Sequence, residues 1–306
     1  MKRQEEVRFM ADGTNVEYTI SGAGTKLLLI HGSQRTKDEF ASLTNILEKH
    51  FTVYAVDRRG WGNSGTKGRG YSMDIECADA IEFMEEHGID SVFGDEYGGI
   101  IALHVALRCP VKKIVLFEPH LTSLRNLNWI SKMERQVARD LYFDAMVTFV
   151  KGTNMKTKFV PGFFLKFMFK HSSFSIDRDK QAINKIIGYD DPEQDARNKK
   201  DIESAEWKQK KRMLEQVPAE LTAAQKSEAE LSGLSETDAQ ALIICERDSE
   251  PYVYDSAANL FALIPNSTKI VVDMSGDENR QPLIPEPPKF DEAVIRFLSD
   301  GGDGVV

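Results

Sequence analysis

The chain has 306 residues, 41% of them hydrophobic and 28% charged, the make-up of an ordinary globular protein. That length suits one large α/β domain with an insertion, or two small domains. A formal net charge of -9 argues against nucleic-acid phosphates as a partner, and no run approaches the roughly 18 apolar residues of a membrane span.

In chain order, Val7–Met10 and Val16–Ile20 read as two strands joined at Asp12-Gly13, a hairpin signal. Lys26–His31 is a nearly continuous apolar run, the mark of a strand buried on both faces of a parallel sheet. Asp38 to His50 has helical spacing through Phe40, Leu43, Ile46 and Leu47. Phe51–Asp57 is the next buried strand, and the loop Arg58-Arg59-Gly60-Trp61-Gly62-Asn63-Ser64-Gly65 follows it. A helix from about Met73 to His87 leads to Ser91–Leu103. There a short β-branched and aromatic run enters Gly94-Asp95-Glu96-Tyr97-Gly98-Gly99, and an apolar run leaves it. This predicts a strand, a sharp turn and a helix. The glycines are needed because the central residue of such a turn is strained and flanking side chains would clash. The central residue is Glu96.

Lys113–Glu118 is a further strand. From about Leu121 to Thr237 the chain reads as helices without a clear buried strand, including an aromatic stretch over 159–174 and a strongly charged, solvent-facing stretch over 190–211. The aromatic stretch is expected to form an apolar inner face of this insertion. Strands resume at Ala241–Cys245 and Lys269–Val272, with helices near Tyr252–Leu263 and Lys289–Leu298. Alternating strands and helices predict a parallel sheet covered on both faces. Cys77, Cys109 and Cys245 have neither a CxxC nor a metal-ligand spacing, and read as reduced thiols of a cytoplasmic protein. Residues 1–6 lack the apolar stretch of a secretory signal.

Three patterns, at the ends of successive predicted strands, carry a resemblance. His31-Gly32 looks like the His-Gly loop of the α/β-hydrolase superfamily. Asp57-Arg58-Arg59-Gly60-Trp61-Gly62-Asn63-Ser64 looks like its Asp-x-x-Gly-x-Gly-x-Ser loop. Gly94–Gly99 looks like its elbow Gly-His-Ser-x-Gly-Gly, with Asp95 and Glu96 at the two changed positions. The resemblance implies an α/β-hydrolase fold, a mainly parallel central sheet with an inserted helical cap. It places the core at 1–120 and 238–300 and the cap at 121–237, and the glycine-rich end at 301–306 reads from its residues as a flexible tail. It also implies an oxyanion hole from the backbone amides of Ser33 and Tyr97, with His31 and Asp95 beside the pocket.

The family's acyl-serine mechanism needs a hydroxyl, an imidazole and an orienting acid. Glu96 replaces the hydroxyl. Asp248 matches the position of the acid, and Asp277 and Glu278 occupy the loop of the histidine. The six histidines are His31, His50, His87, His104, His120 and His171, so none follows residue 171. The triad reads as degenerate. In its place Glu96, with Asp248, Asp277 or Glu278, or His120, suits carboxylate general acid–base chemistry on a small apolar organic substrate: elimination, isomerisation or cyclisation. Converging carboxylates would leave one protonated. His31 and His104 read as structural residues, and His120 as a relocated base or a hinge residue. A hard cation is the weaker use of these acids, since the resembling family needs no metal, and no cofactor is expected. The alternatives are a catalytically silent fold that binds a ligand or partner protein, or a carboxylate nucleophile as in the similar epoxide hydrolases and haloalkane dehalogenases. Oligomeric state is open.

Overall fold

A computed structural model of the protein describes residues 3–68, 70–124, 126–153, 159–171, 192–274 and 289–299. Its strands are β1 (Gln4–Phe9), β2 (Asn15–Gly22), β3 (Thr25–Ile30), β4 (Phe51–Val56), β5 (Ser91–Asp95), β6 (Lys113–Phe117), β7 (Gln240–Glu246) and β8 (Ser267–Val272). They form one eight-stranded sheet in the order β1-β2-β4-β3-β5-β6-β7-β8. β2 pairs antiparallel with β1 and with β4, while the pairings from β4 through to β8 are parallel. This is the α/β-hydrolase fold, with an inserted region between β6 and β7.

The interior strands read as unbroken apolar runs because both of their faces are covered. Leu28, Val92 and Ile114 share one core with Phe83 of α2 (Met73–His87), Ile101 of α3 (Tyr97–Ala106) and Leu260 of α8 (Pro251–Leu263). Leu29, Phe93 and Val115 share the opposite core with Leu47 of α1 (Ala41–Leu47) and with Val294 and Phe297 of α9 (Phe290–Ser299). Side chains alternate along a strand, so Asp95 leaves β5 on the same side as Phe93. The helix expected over 38–50 is shorter than its periodicity implied: a 3-10 turn at Lys37–Phe40 precedes α1.

The insertion holds α4 (Ile130–Val137), α5 (Tyr142–Thr153), α6 (Gly162–His171), α7 (Pro192–Ser227) and a 3-10 stretch at Glu228–Glu236. The chain separates into two compact units, one of Met1–Arg125 with Glu220–Val306 and the other of Asn126–Ala219. Within the second, Met133, Ala145, Met146 and Leu214 form a small core. Three phenylalanines at the start of the aromatic stretch correct the sequence expectation. Phe159, Phe163 and Phe164 are exposed, while Leu165 is buried. An aromatic run on a helix cannot turn every ring to one side, and among residues 163–165 the inward position belongs to the leucine. Residues 172–174, 190 and 191 of the expected aromatic and charged stretches lie outside the described residues.

Candidate active site

The turn after β5 has the strained geometry its glycines foretold. Glu96 has φ 47° and ψ -110° and stands at the N-terminus of α3. A Cβ on Gly98 would lie 2.1 Å from the Ile30 carbonyl oxygen, so α3 can cross the end of β3 only because position 98 has no side chain. The turn lifts Glu96, which is partly exposed, above the carboxyl edge of the sheet.

Arg35, five residues beyond β3, grips both acids of the elbow. Its Nη1 donates to Asp95 Oδ2 at 2.7 Å, and its Nη2 donates to Glu96 Oε1 at 2.9 Å. Asp95 is only 2% exposed. Burial and the neighbouring Glu96 push its pKa up to about 7, against the pull of Arg35. Two adjacent carboxylates thus share one guanidinium, and the deeper of them titrates near neutrality.

A second cluster fixes the loops on either side. Arg58 is buried and donates through Nε to the His31 carbonyl (2.8 Å) and through Nη2 to the Gly32 carbonyl (3.0 Å). Its guanidinium also pairs with Glu76 and Glu220, each at 2.8 Å. Glu220 further accepts from Lys67 Nζ (2.8 Å), Trp61 Nε1 (2.6 Å) and Ser33 Oγ (2.5 Å). Burial alone would raise the pKa of Glu220, but Arg58 and Lys67 hold it down to about 2. Two cations and two carboxylates balance within this buried cluster, the condition under which buried charge is tolerated. The Lys67 ammonium lies over the rings of Tyr71 and Trp61, and burial lowers its pKa to about 8. The Asp57 loop is tied as tightly: a Cβ on Gly62 would lie 1.9 Å from Asp57 Oδ2.

The structure brings Asp95 and Glu96 together on one guanidinium, and the side chains of the other candidates make contacts of their own. Ser33 turns its hydroxyl to Glu220, and the Tyr97 hydroxyl lies 3.1 Å from that of Tyr71. His31 is fully buried. The Arg58 amide donates to its Nε2, so its proton sits on Nδ1 and faces the Gly32 carbonyl at 2.7 Å. Burial and Arg58 hold its pKa well below the usual value, so it stays neutral. Asp248 is exposed on the loop after β7. That loop is anchored by Glu118, whose Oε1 accepts from the Glu246 amide (2.7 Å) and from Ser249 Oγ. His120 packs edge-on against Tyr252, 5.3 Å between ring centroids. Asp277, Glu278 and the tail 301–306 lie outside the described residues.

One grouping imitates a triad. Ser227 Oγ is 3.1 Å from His104 Nε2, and Glu230 Oε2 is 3.6 Å from Nδ1. Arg108 Nη1 lies 3.2 Å from Nδ1 and can only donate, which places the imidazole proton on Nε2, facing the hydroxyl. This histidine cannot take a proton from Ser227, whose own hydrogen reaches the Ala223 carbonyl. Burial and Arg108 lower the His104 pKa to about 4, as befits a core residue. Among the described residues no group of three or more His, Cys, Asp or Glu side chains is placed to hold a metal ion, and no helix is long and apolar enough to cross a membrane.

Sequence reading missed Arg35, Glu220, Lys67 and Glu118. Only Glu118 carried a signal, as an acid closing the strand next to the elbow.

An eight-stranded sheet, an elbow with a positive φ and two loops locked at its carboxyl edge together define an α/β hydrolase. The family model for serine aminopeptidase S33 matches residues 23–231, and the chain belongs to that family. It is 30% identical over 129 residues to the uncharacterized hydrolase YraK of Bacillus subtilis (strain 168), a match covering 40% of this chain and 48% of that one. It is 31% identical over 99 residues to a soluble epoxide hydrolase of Corynebacterium sp. (strain C12), covering 32% and 35%. The chain therefore spans less than half the length of either relative. An α/β hydrolase from Sphaerobacter thermophilus DSM 20745 superposes with a TM-score of 0.66 at 19% identity, over 96% of this chain and 100% of the other, a likeness of fold.

Proposed function

We propose that this chain is an α/β-hydrolase-fold enzyme with a degenerate triad, in which Glu96 performs general acid–base chemistry on a small organic substrate. The observation that carries this reading is the Asp95–Arg35–Glu96 group, with a guanidinium 2.7 and 2.9 Å from two adjacent carboxylates and the buried one titrating at about 7. Carboxyl groups held in unlike environments are how one site supplies both an acid and a base near neutral pH. Glu96 is the outer group, at a helix start where backbone donors favour its charge. Arg35 orients it and relays the state of Asp95. Asp248, His120 and the loop with Asp277 and Glu278 are the remaining proton-transfer partners in this reading.

Elimination, isomerisation or cyclisation suits such a pair better than hydrolysis through an acyl-serine. The match to an epoxide hydrolase favours one variant, a nucleophilic carboxylate at position 96. The absence of any histidine after residue 171 weighs against it, since water must be activated to release the ester. The same reading makes 1–120 with 238–300 a catalytic core and 121–237 its cap. A catalytically silent ligand binder remains the second reading, favoured by the direct neutralisation of Glu96 by Arg35.

The test is a substrate screen of the purified chain over small lactones, enol esters, epoxides and β-substituted carbonyl compounds, with Glu96→Gln beside it. Turnover that the glutamine variant lowers by about 10²-fold or more supports the acid–base role. Turnover that survives in Glu96→Gln refutes it.

A further inference from the structure

From residue 145 to 176 the sequence holds five lysines, no acid and seven of the chain's 17 phenylalanines. Five of the chain's 39 basic residues lie there, so the remainder has 34 against 48 acids. A chain of net charge -9 therefore carries +5 on this stretch and -14 elsewhere. Asp144, just before it, pairs with Lys166 at 2.7 Å, and even with that acid counted the stretch keeps +4.

The described part of the stretch turns aromatic rings outward. Phe159 is 91% exposed, Phe163 78% and Phe164 49%. Their exposure follows from how α6 begins. A Cβ on Gly162 would lie 3.6 Å from Val147 Cγ1, so the helix starts close against α5. Leu165 takes the buried position, and its two neighbours on the first turn are left facing away. A ring that touches so little of its own protein gains by leaving water. Three such rings within six consecutive positions mark an interaction surface rather than the scatter of single exposed apolar residues.

We propose that the Phe159–Phe164 corner binds the surface of an anionic phospholipid bilayer, its rings entering the interface while the positive charge of the stretch draws it to the headgroups. Aromatic residues beside lysines are the composition that such interfaces take up. This attachment is peripheral, and it goes beyond the catalytic reading because it requires no chemistry at Glu96. Charge selects the bilayer over a second copy, since two chains meeting through the same stretch would set like charge against like. The -14 borne by the rest of the chain is repelled by the same membrane, so without this surface the whole molecule would avoid it.

The experiment is co-sedimentation of the full chain with two kinds of vesicle, phosphatidylcholine alone and an equimolar mixture of phosphatidylcholine and phosphatidylglycerol. Binding to the anionic vesicles is expected to be at least about tenfold stronger, and to weaken as salt is raised. The double variant Phe159→Ser/Phe163→Ser should lower it by at least about tenfold, the scale of burying one large apolar side chain, with thermal unfolding unchanged. Phe9→Ser, which alters an exposed ring on β1, should bind as the wild type does. Phe159→Trp should gain fluorescence that brominated acyl chains quench. No binding to either vesicle, equal or stronger binding to phosphatidylcholine, or undiminished binding by the double serine variant would each overturn the proposal. So would a tryptophan at position 159 that the brominated lipid leaves unquenched in the sedimenting complex.

Discussion

Trp61 donates its indole N–H to Glu220 Oε1 at 2.6 Å, across 159 residues of sequence. With Arg58, Lys67 and Ser33 on the same carboxylate, Glu220 closes the loops at the carboxyl edge of the sheet onto α7. Glu220→Gln should lower stability by about 3–5 kcal/mol, because it strands two buried cations. Lys67→Met should restore part of that loss in the double variant, by removing one of them. Denaturant unfolding of the four proteins measures the coupling, and additive losses would contradict it.

Glu220 also sets an acid limit. Its folded pKa is depressed to about 2 from the ordinary glutamate value of 4.5, so on acidification the folded protein binds its proton later than the unfolded chain does. The stability it contributes is present above about pH 4.5 and is lost as pH falls through the window down to about pH 2. The wild type should lose its advantage over Glu220→Gln across that window, as followed by chemical unfolding at stepped pH. A stability difference that stays constant there would show that other groups carry the acid response.

Asp95 acts in the opposite sense. Its folded pKa is raised to about 7, so between the ordinary aspartate value of 3.8 and about 7 the folded protein holds a proton that the unfolded chain has released. Stability therefore falls as pH rises through that window, and the full cost is present above it. Asp95→Asn should be more stable than wild type by about 1–3 kcal/mol near pH 8, with the gain shrinking towards pH 4. A less stable variant at pH 8 would mean that the Arg35 pairing outweighs the burial.

Restoring the hydroxyl alone should not restore an acyl-enzyme. Glu96→Ser is expected to remain inert to a fluorophosphonate, read by mass spectrometry of the peptide spanning 91–108, because no histidine follows residue 171 to activate it. A labelled Glu96→Ser would locate a base that the present reading does not contain.

The elbow itself tolerates little. Gly98→Ala places a methyl group 2.1 Å from the Ile30 carbonyl oxygen, a clash between backbone elements with no side chain free to move aside. A loss of about 3 kcal/mol or more, or insoluble protein, is expected. Normal thermal unfolding of this variant would show that α3 can slide on β3.

The sheet was legible because β3 to β7 are covered on both sides, and such strands announce themselves as unbroken apolar runs. The elbow was legible because Gly94 and Gly98 stand at the one spacing that lets a helix fold back over a strand end. Glu220 was not. It lies in a 36-residue helix rich in charged residues, and no local feature distinguishes it from Glu215, which pairs instead with the Tyr142 hydroxyl. Its partners come from a loop far earlier in the chain. Arg35 was hidden for a similar reason, since an arginine in a polar loop looks solvent-bound until the strand beside it is in place. The phenylalanines at 159, 163 and 164 misled, because apolar character predicts burial only on average.

The ties between Glu220 and the Trp61 loop also order events on the ribosome. At about 5–20 residues per second, the 159 residues separating Trp61 from its carboxylate take on the order of ten to thirty seconds to synthesise. Until it ends Lys67 lacks this counter-ion and Arg58 has only Glu76, although β5 and β6 are completed on the way. The nascent half-sheet therefore has to wait with these loops open to water, and the late arrival of one glutamate is what allows them to shut.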